Sequence, residues 1–304
     1  MISLQAREIA KALVPMDDAM FQKICEDAAV CQEIITTCLA DRAEVIEVIP
    51  QNTIMNLQGR SVRLDCLCRL SDGTYVLVEV QKANDDDHEA RVRYNASVVT
   101  ANKTPKNVKF RDVAKIISIF ITKFDIFGGD LPIYHVDRVV RELKTVRENG
   151  MTEIYVNASA KNRDNDLNAN VSDLMTLFTD RDSLDYDKFP AFSKRKNTFT
   201  NTEEGVTEMS DKIEAMIQDY VQQAVQQAVQ QAVQQAVQQA VQQAVQQAVQ
   251  QKRLDDLFGF VARGGMTIAF AANEANISPA EFEIQMRQSG YSLPQAGPTA
   301  RNGL

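Results

Sequence analysis

Residues 62–81 read VRLDCLCRLSDGTYVLVEVQ, two apolar runs joined by a short polar turn, with a carboxylate inside each run. No other stretch restricts the fold as tightly, because a period of two fixes which side chains share a face. In the first run Val62, Leu64, Cys66, Cys68 and Leu70 form an apolar set, while Arg63, Asp65 and Arg69 point the other way. In the second, Val76, Val78 and Val80 oppose Leu77, Glu79 and Gln81. A three-residue loop, Ser71-Asp72-Gly73, places glycine at the left-handed last position, where it costs least. That register pairs Leu70 with Thr74 and therefore Asp65 with Glu79. A two-residue Asp-Gly turn would set Asp65 against Val80 and mix the faces.

Carboxylates opposed on neighbouring strands repel, and more strongly away from water. A divalent cation is one way to offset this, and a few hard oxygen ligands suit Mg2+ bound together with a substrate phosphate. The other way is neutralisation by Arg63 and Arg69 on an exposed sheet face. Periodicity alone leaves both open. Glu47, on the preceding run, reads as a sheet-edge cap before it reads as a further ligand. Cys66 and Cys68 lie on the apolar face and read as core.

The flanks supply the rest of a domain. Residues 17–40 carry apolar positions at helical spacing (Phe21, Ile24, Ala28, Ile34, Ile35, Leu39), with Asp17 or Asp18 as the cap. VIEVIPQ (45–51) predicts a strand ending at Pro50, and NLQGR (56–60) a turn. A helix is expected over 88–101, a long strand over 115–127 and a short one over 153–157. Helix, three strands, helix and strand in that order predict a mixed sheet flanked by helices. Beyond it come a helix near 172–178, a loop over 188–205 and a new helix over 203–220.

From Val221 to Gln251 the unit VQQA repeats with a period of four. A helix turns ~100° per residue, so the apolar pair drifts ~40° per repeat and circles the axis. One coiled-coil seam needs a period near 3.5. The expected form is a helical spacer, ~45 Å long if fully helical, that at most gathers chains weakly into a homo-oligomer. The stretch is half glutamine and cannot be a membrane span, and the charged N-terminus lacks a signal peptide's apolar core. Residues 252–290 contain two or three short helices, with Ser278-Pro279-Ala280-Glu281 as a capping box. They read as a helical cap rather than a DNA-reading module, because no basic face follows.

The net charge of −8 argues against a chain coated in nucleic-acid contacts. Charge is uneven, however: between Arg91 and Phe124 eight Lys/Arg stand against Asp112 alone. Five cysteines form no metal-spaced cluster along the sequence, and the odd number suits a reducing, cytoplasmic setting.

Asp65, a hairpin and then Glu79-Val80-Gln81 resemble the active-site motif of the PD-(D/E)XK nuclease superfamily. More narrowly, residues 56–97 resemble the PD-(D/E)XK nuclease family transposases, relatives of the recombination-promoting nucleases. The likeness continues through 119–142, 153–157, SDLM (172–175) and FTNTEEGVTEM (199–209), covering roughly 17–215. It implies an α/β, restriction-endonuclease-like core acting as a metal-dependent DNA endonuclease; the helical repeat and the small helical tail lie outside it. The expected organisation is an N-terminal extension (1–16), the nuclease-like domain (17–215), the VQQA spacer (216–251), a helical segment (252–290) and a disordered tail (291–304). By the same resemblance Asp65, Glu79 and Gln81 are the catalytic positions. Asp65, Glu79 and the Val80 carbonyl would be ligands of Mg2+ or Mn2+. Gln81 stands where the superfamily has lysine, and Leu64 replaces the motif's proline. An amide orients water but carries no charge to the phosphorane. A catalytically degenerate module that keeps the fold and binds DNA or a protein is therefore the alternative. His88, Arg91 and Asn95 share a helical face. Arg91 and Asn95, with Lys103, Lys106 and Lys109 from the basic stretch, are the candidate DNA contacts, and His88 reads as a cap or surface residue.

Overall fold

The structure, a computed structural model, describes residues 4–41, 43–54 and 62–293, the side chains of 50–53 excepted. The expected turn at 56–60 lies outside these residues, as does most of the expected tail, from 294 onward. The chain divides into two compact units, Met1–Asp219 and Tyr220–Leu304.

The first unit runs α1 (Leu4–Ala12), α2 (Asp18–Ile24), α3 (Ala28–Leu39), β1 (Val45–Ile54), β2 (Val62–Leu70), β3 (Tyr75–Gln81), α4 (His88–Lys103) and β4 (Ile116–Thr122). It continues with β5 (Ile133–Val136), the small ribbon β6 (Val139–Val140) and β7 (Thr145–Val146), β8 (Met151–Asn157), α5 (Asp166–Thr179), α6 (Pro190–Asn201) and the start of α7 (Glu203–Ala262). Six strands form one mixed sheet in the order β1-β2-β3-β4-β8-β5. The β1–β2, β2–β3 and β5–β8 pairs are antiparallel, and β3–β4 and β4–β8 are parallel. Each parallel pair requires a crossover, and α4 supplies the one that matters for the site.

One sheet face packs Val76, Val78, Val80, Ile119, Ile121 and Val156 against α2, α3, α5 and α6, with Ala6 and Ala10 of α1 in the same cluster. The other face packs Leu67, Leu77 and Ile116 beneath Ala96, Val98 and Val99 of α4. The five even-numbered residues of β2 do not share a face as alternation predicts. Cys66, Cys68 and Leu70 join the first cluster, whereas Val62 and Leu64 join the second. The exchange falls where the β2–β3 ladder ends at Cys66. Beyond it β2 pairs with β1 alone, and a two-stranded ribbon twists more than a wide sheet.

Four local expectations are corrected. The helix predicted over 17–40 breaks in two at Cys25–Asp27, where the Asp27 side chain accepts from the Ala29 N–H. β1 does not stop at Pro50 but continues to Ile54. It is an edge strand, where a residue without an N–H is tolerated. The strand predicted over 115–127 ends at Thr122, because Asp125 gathers the N–H groups of Phe127, Gly128 and Asp130 into a turn. The loop predicted over 188–205 contains α6. Its first N–H groups, of Ala191 and Phe192, are capped by the Glu33 carboxylate from α3, a partner no local pattern reveals.

In the second unit the end of α7, α8 (Ile268–Ala275) and α9 (Pro279–Gln288) enclose Phe258, Val261, Ala271, Ala272, Phe282 and Met286. Ser278 caps α9 by accepting from the Glu281 N–H at 3.2 Å. The repeat is helical throughout, and its valines are exposed.

Candidate active site

The β2–β3 turn fixes the site. The Leu70 N–H donates to the Thr74 carbonyl at 2.8 Å and the Gly73 N–H to the Leu70 carbonyl at 2.9 Å, with Gly73 left-handed at φ 87°. The ladder runs from Arg69 opposite Tyr75 to Cys66 opposite Val78. One step further the same register sets Asp65 opposite Glu79. There the ladder gives way to a side chain: Asp65 Oδ2 accepts the Val80 N–H at 3.3 Å.

Each carboxylate is held from a different helix. Gln22 of α2 donates its amide to Asp65 Oδ1 at 3.3 Å. Asn95 of α4 donates to both oxygens of Glu79, at 2.8 and 3.0 Å. Asp65 serves α2 because it lies where the faces of β2 exchange. Glu79, only 6% exposed, serves α4. Burial, then the neighbouring Asp18, push the Asp65 carboxyl up to about 6, against the Gln22 and Val80 hydrogen bonds. Burial, then Asp65 itself, push Glu79 up to about 7, against Asn95 and Arg91. Burial and Asp17 likewise raise Asp18.

These groups line a cleft of about 530 Å³, together with Gln22, Arg63, Val80, Gln81, Arg91 and Asn95. Asp18 and Gln22 are the residues that sequence reading missed. Their i, i+4 spacing on α2 was the available signal, but Asp18 reads equally well as a helix cap. The Gln22 Oε1 is buried with no hydrogen-bond partner. Asp18, Asp65 and Glu79 bring hard carboxylate oxygens to one cleft, the ligand type a hard divalent cation prefers.

Gln81 does not stand alone. Arg91 donates to its Oε1 at 2.5 Å, and its own amide donates to the Ala83 carbonyl at 3.0 Å and to Asp85 at 3.2 Å. The Arg91 guanidinium thus lies beside the position where lysine is replaced. Lys82 projects elsewhere, into an ion pair with Asp17.

The structure separates other candidates from the cleft. Asn95, expected as a DNA contact, is buried and directs its amide to Glu79. Lys103 lies over the Tyr75 ring, 5.8 Å from its centroid, at the far end of β3. Lys106 and Lys109 follow it and are exposed, and none of the three lines the cleft. Arg69 does not neutralise Asp65 or Glu79 but pairs with Glu47 at 2.8 Å, which places Glu47 outside the site. His88 is buried rather than superficial, with its ring 4.8 Å from Phe124 and its Nε2 bonded to Asn84.

A family model described as PD-(D/E)XK nuclease family transposase matches residues 19–227. Neither a curated protein nor a solved structure matches the chain. Among the described residues no helix is long and apolar enough to cross a membrane.

Proposed function

Because the chain belongs to the PD-(D/E)XK nuclease family transposases, we propose that it is a DNA endonuclease dependent on Mg2+ or Mn2+, with Asp65, Glu79 and Gln81 as its catalytic positions. The observation that carries this is the pair of carboxylates, Asp65 and Glu79, each held by its own hydrogen bonds on one cleft. Asp65, Glu79 and the Val80 carbonyl would hold the ion, and Asp18 adds a further oxygen that the sequence reading did not include. The ion supplies Lewis acidity for phosphodiester hydrolysis.

The chain's own residues do the positioning. Asn95 fixes both Glu79 oxygens, and Gln22 with the Val80 N–H fixes Asp65. Arg91, on the same cleft, brings the positive charge that Gln81 lacks and is the group suited to hold a DNA phosphate. Lys103, Lys106 and Lys109 would meet DNA only away from the reacting bond. The second reading, a module that binds without cutting, draws on Gln81: its amide is already bonded to Ala83 and Asp85.

Nicking of supercoiled plasmid with Mg2+ or Mn2+ separates the two readings. Asp65→Asn and Glu79→Gln each remove a ligand charge at nearly constant volume. A metal contribution of several kcal/mol corresponds to a loss on the order of 10³-fold. Cleavage by both variants at the wild-type rate refutes the site, and DNA binding without metal-dependent nicking by the wild type favours the second reading.

A further inference from the structure

Three of the five cysteines converge on one point of the core and a fourth, Cys68, flanks them, although nothing in their spacing along the chain suggests it. Cys25 sits at the end of α2, Cys31 is the fourth residue of α3, and Cys66 and Cys68 lie two apart on β2. All four are at most 1% exposed. The sulfurs of Cys31 and Cys66 are 3.7 Å apart and those of Cys66 and Cys68 3.6 Å. The sulfurs of Cys25, Cys31 and Cys66 lie within 4.8 Å of one another. Cys68 joins this trio through Cys66, and Cys38, buried further along α3, is outside the group.

Buried cysteine packs as a small hydrophobe, and packing alone explains one or two of them. It gives no reason for thiols from three separate elements to share one contact. A tetrahedral thiolate site with metal–sulfur bonds of about 2.3 Å has sulfur–sulfur edges of about 3.8 Å, close to the Cys31–Cys66 and Cys66–Cys68 separations. We propose that Cys25, Cys31 and Cys66, completed by Cys68, form a structural Zn2+ site that ties the α2–α3 corner to β2.

The chemistry sets this site apart from the carboxylate cleft. Soft thiolates select a thiophilic ion, whereas the hard oxygens of the cleft suit Mg2+ or Mn2+. No open position is required of it, as in other closed structural zinc sites. Each thiol that binds releases its proton to solvent. Cys66 follows Asp65 directly, so the ion would also anchor the strand that carries the first carboxylate.

The full chain, purified without added metal, is assayed for zinc, and metal-stripped protein is titrated with Co2+ and followed by absorption. About one zinc per chain is expected, with an intense near-ultraviolet thiolate-to-cobalt band that saturates near one equivalent. Cys31→Ser and Cys66→Ser lose both, while Cys38→Ser keeps both. Cobalt in the carboxylate cleft gives no such band, so Asp65→Asn leaves the titration unchanged and failure of the nuclease reading does not touch this one. Should the serine variants misfold, the wild type decides alone. A folded wild-type chain with neither zinc nor the thiolate band overturns the proposal, and so does equal loss in Cys38→Ser.

Discussion

Asp65 and Glu79 are held above their ordinary values of 3.8 and 4.5, to about 6 and 7, so folding favours their protonated forms. A raised carboxyl contributes stability that is complete below its unfolded value and disappears as pH rises through its folded one. Metal-free protein should therefore lose stability as pH climbs from about 4 to about 7. A cation at the pair reverses this, so Mg2+ should raise the thermal midpoint more at pH 8 than at pH 5. Asp65→Asn should raise the metal-free midpoint at pH 8, at about 2–4 °C per kcal/mol for a domain of this size, and abolish the Mg2+ increment. Equal Mg2+ shifts at both pH values would contradict the assignment. Arg91 and Gln81 give the second test at this scale. Arg91→Ala should cost about 10²–10³-fold in plasmid nicking, the usual loss when one charge-stabilising donor is removed. If Arg91 supplies the missing charge, Gln81→Lys should restore much of that loss in the Arg91→Ala background and be tolerated alone. A folded double variant no better than Arg91→Ala would show that the two positions are not exchangeable.

Among the elements, α6 and α7 meet at a corner that admits only glycine. A Cβ on Gly205 would lie 2.1 Å from the Thr198 carbonyl oxygen and 2.9 Å from the Phe199 Cα, both backbone atoms of α6. Those atoms cannot move without shifting Phe199, which is buried in the main core with Phe192 and Phe178. Gly205→Ala should cost about 1–3 kcal/mol, read as a lowered thermal midpoint. Gly259 provides the contrast within the same helix. The nearest atoms to its added Cβ belong to the flexible Arg263 guanidinium, at 3.4 Å or more. Gly259→Ala should be neutral or stabilising, since alanine gains up to ~1 kcal/mol over glycine inside a helix. Equal destabilisation by the two substitutions would remove the corner as the cause.

For the molecule as a whole, the first unit contains everything the proposed chemistry needs. Its main cluster ends with Ile213 and Met216, and Met216 is the last residue to line the cleft. The repeat adds exposed valines whose period of four sustains no packing seam. A chain ending at Tyr220 should fold, nick plasmid as the full chain does, and keep the same oligomeric state by light scattering. Loss of nicking in a folded truncation would make the repeat part of the enzyme. A lower mass after truncation would instead make it an oligomerisation element.

Much of this was legible in the chain because its signals are local. The alternation of 75–81 and the glycine of the turn determine the β2–β3 register as far as Cys66 opposite Val78. The capping box at Ser278 and the helicity of the VQQA repeat are local in the same way. What the chain could not show depends on neighbours distant in sequence. The twist of a ribbon freed from its third strand moves Leu64 to the α4 face and exposes Asp65 to α2. Glu33 starts a helix more than a hundred residues away, and the packing of α2, α3 and β2 brings four cysteines together. Asn95 reads as an exposed polar residue until the β3–α4–β4 crossover lays it over Glu79. Periodicity determines the face of a side chain only while its strand stays paired on both sides, and the packing of elements decides both where that face turns and what it meets.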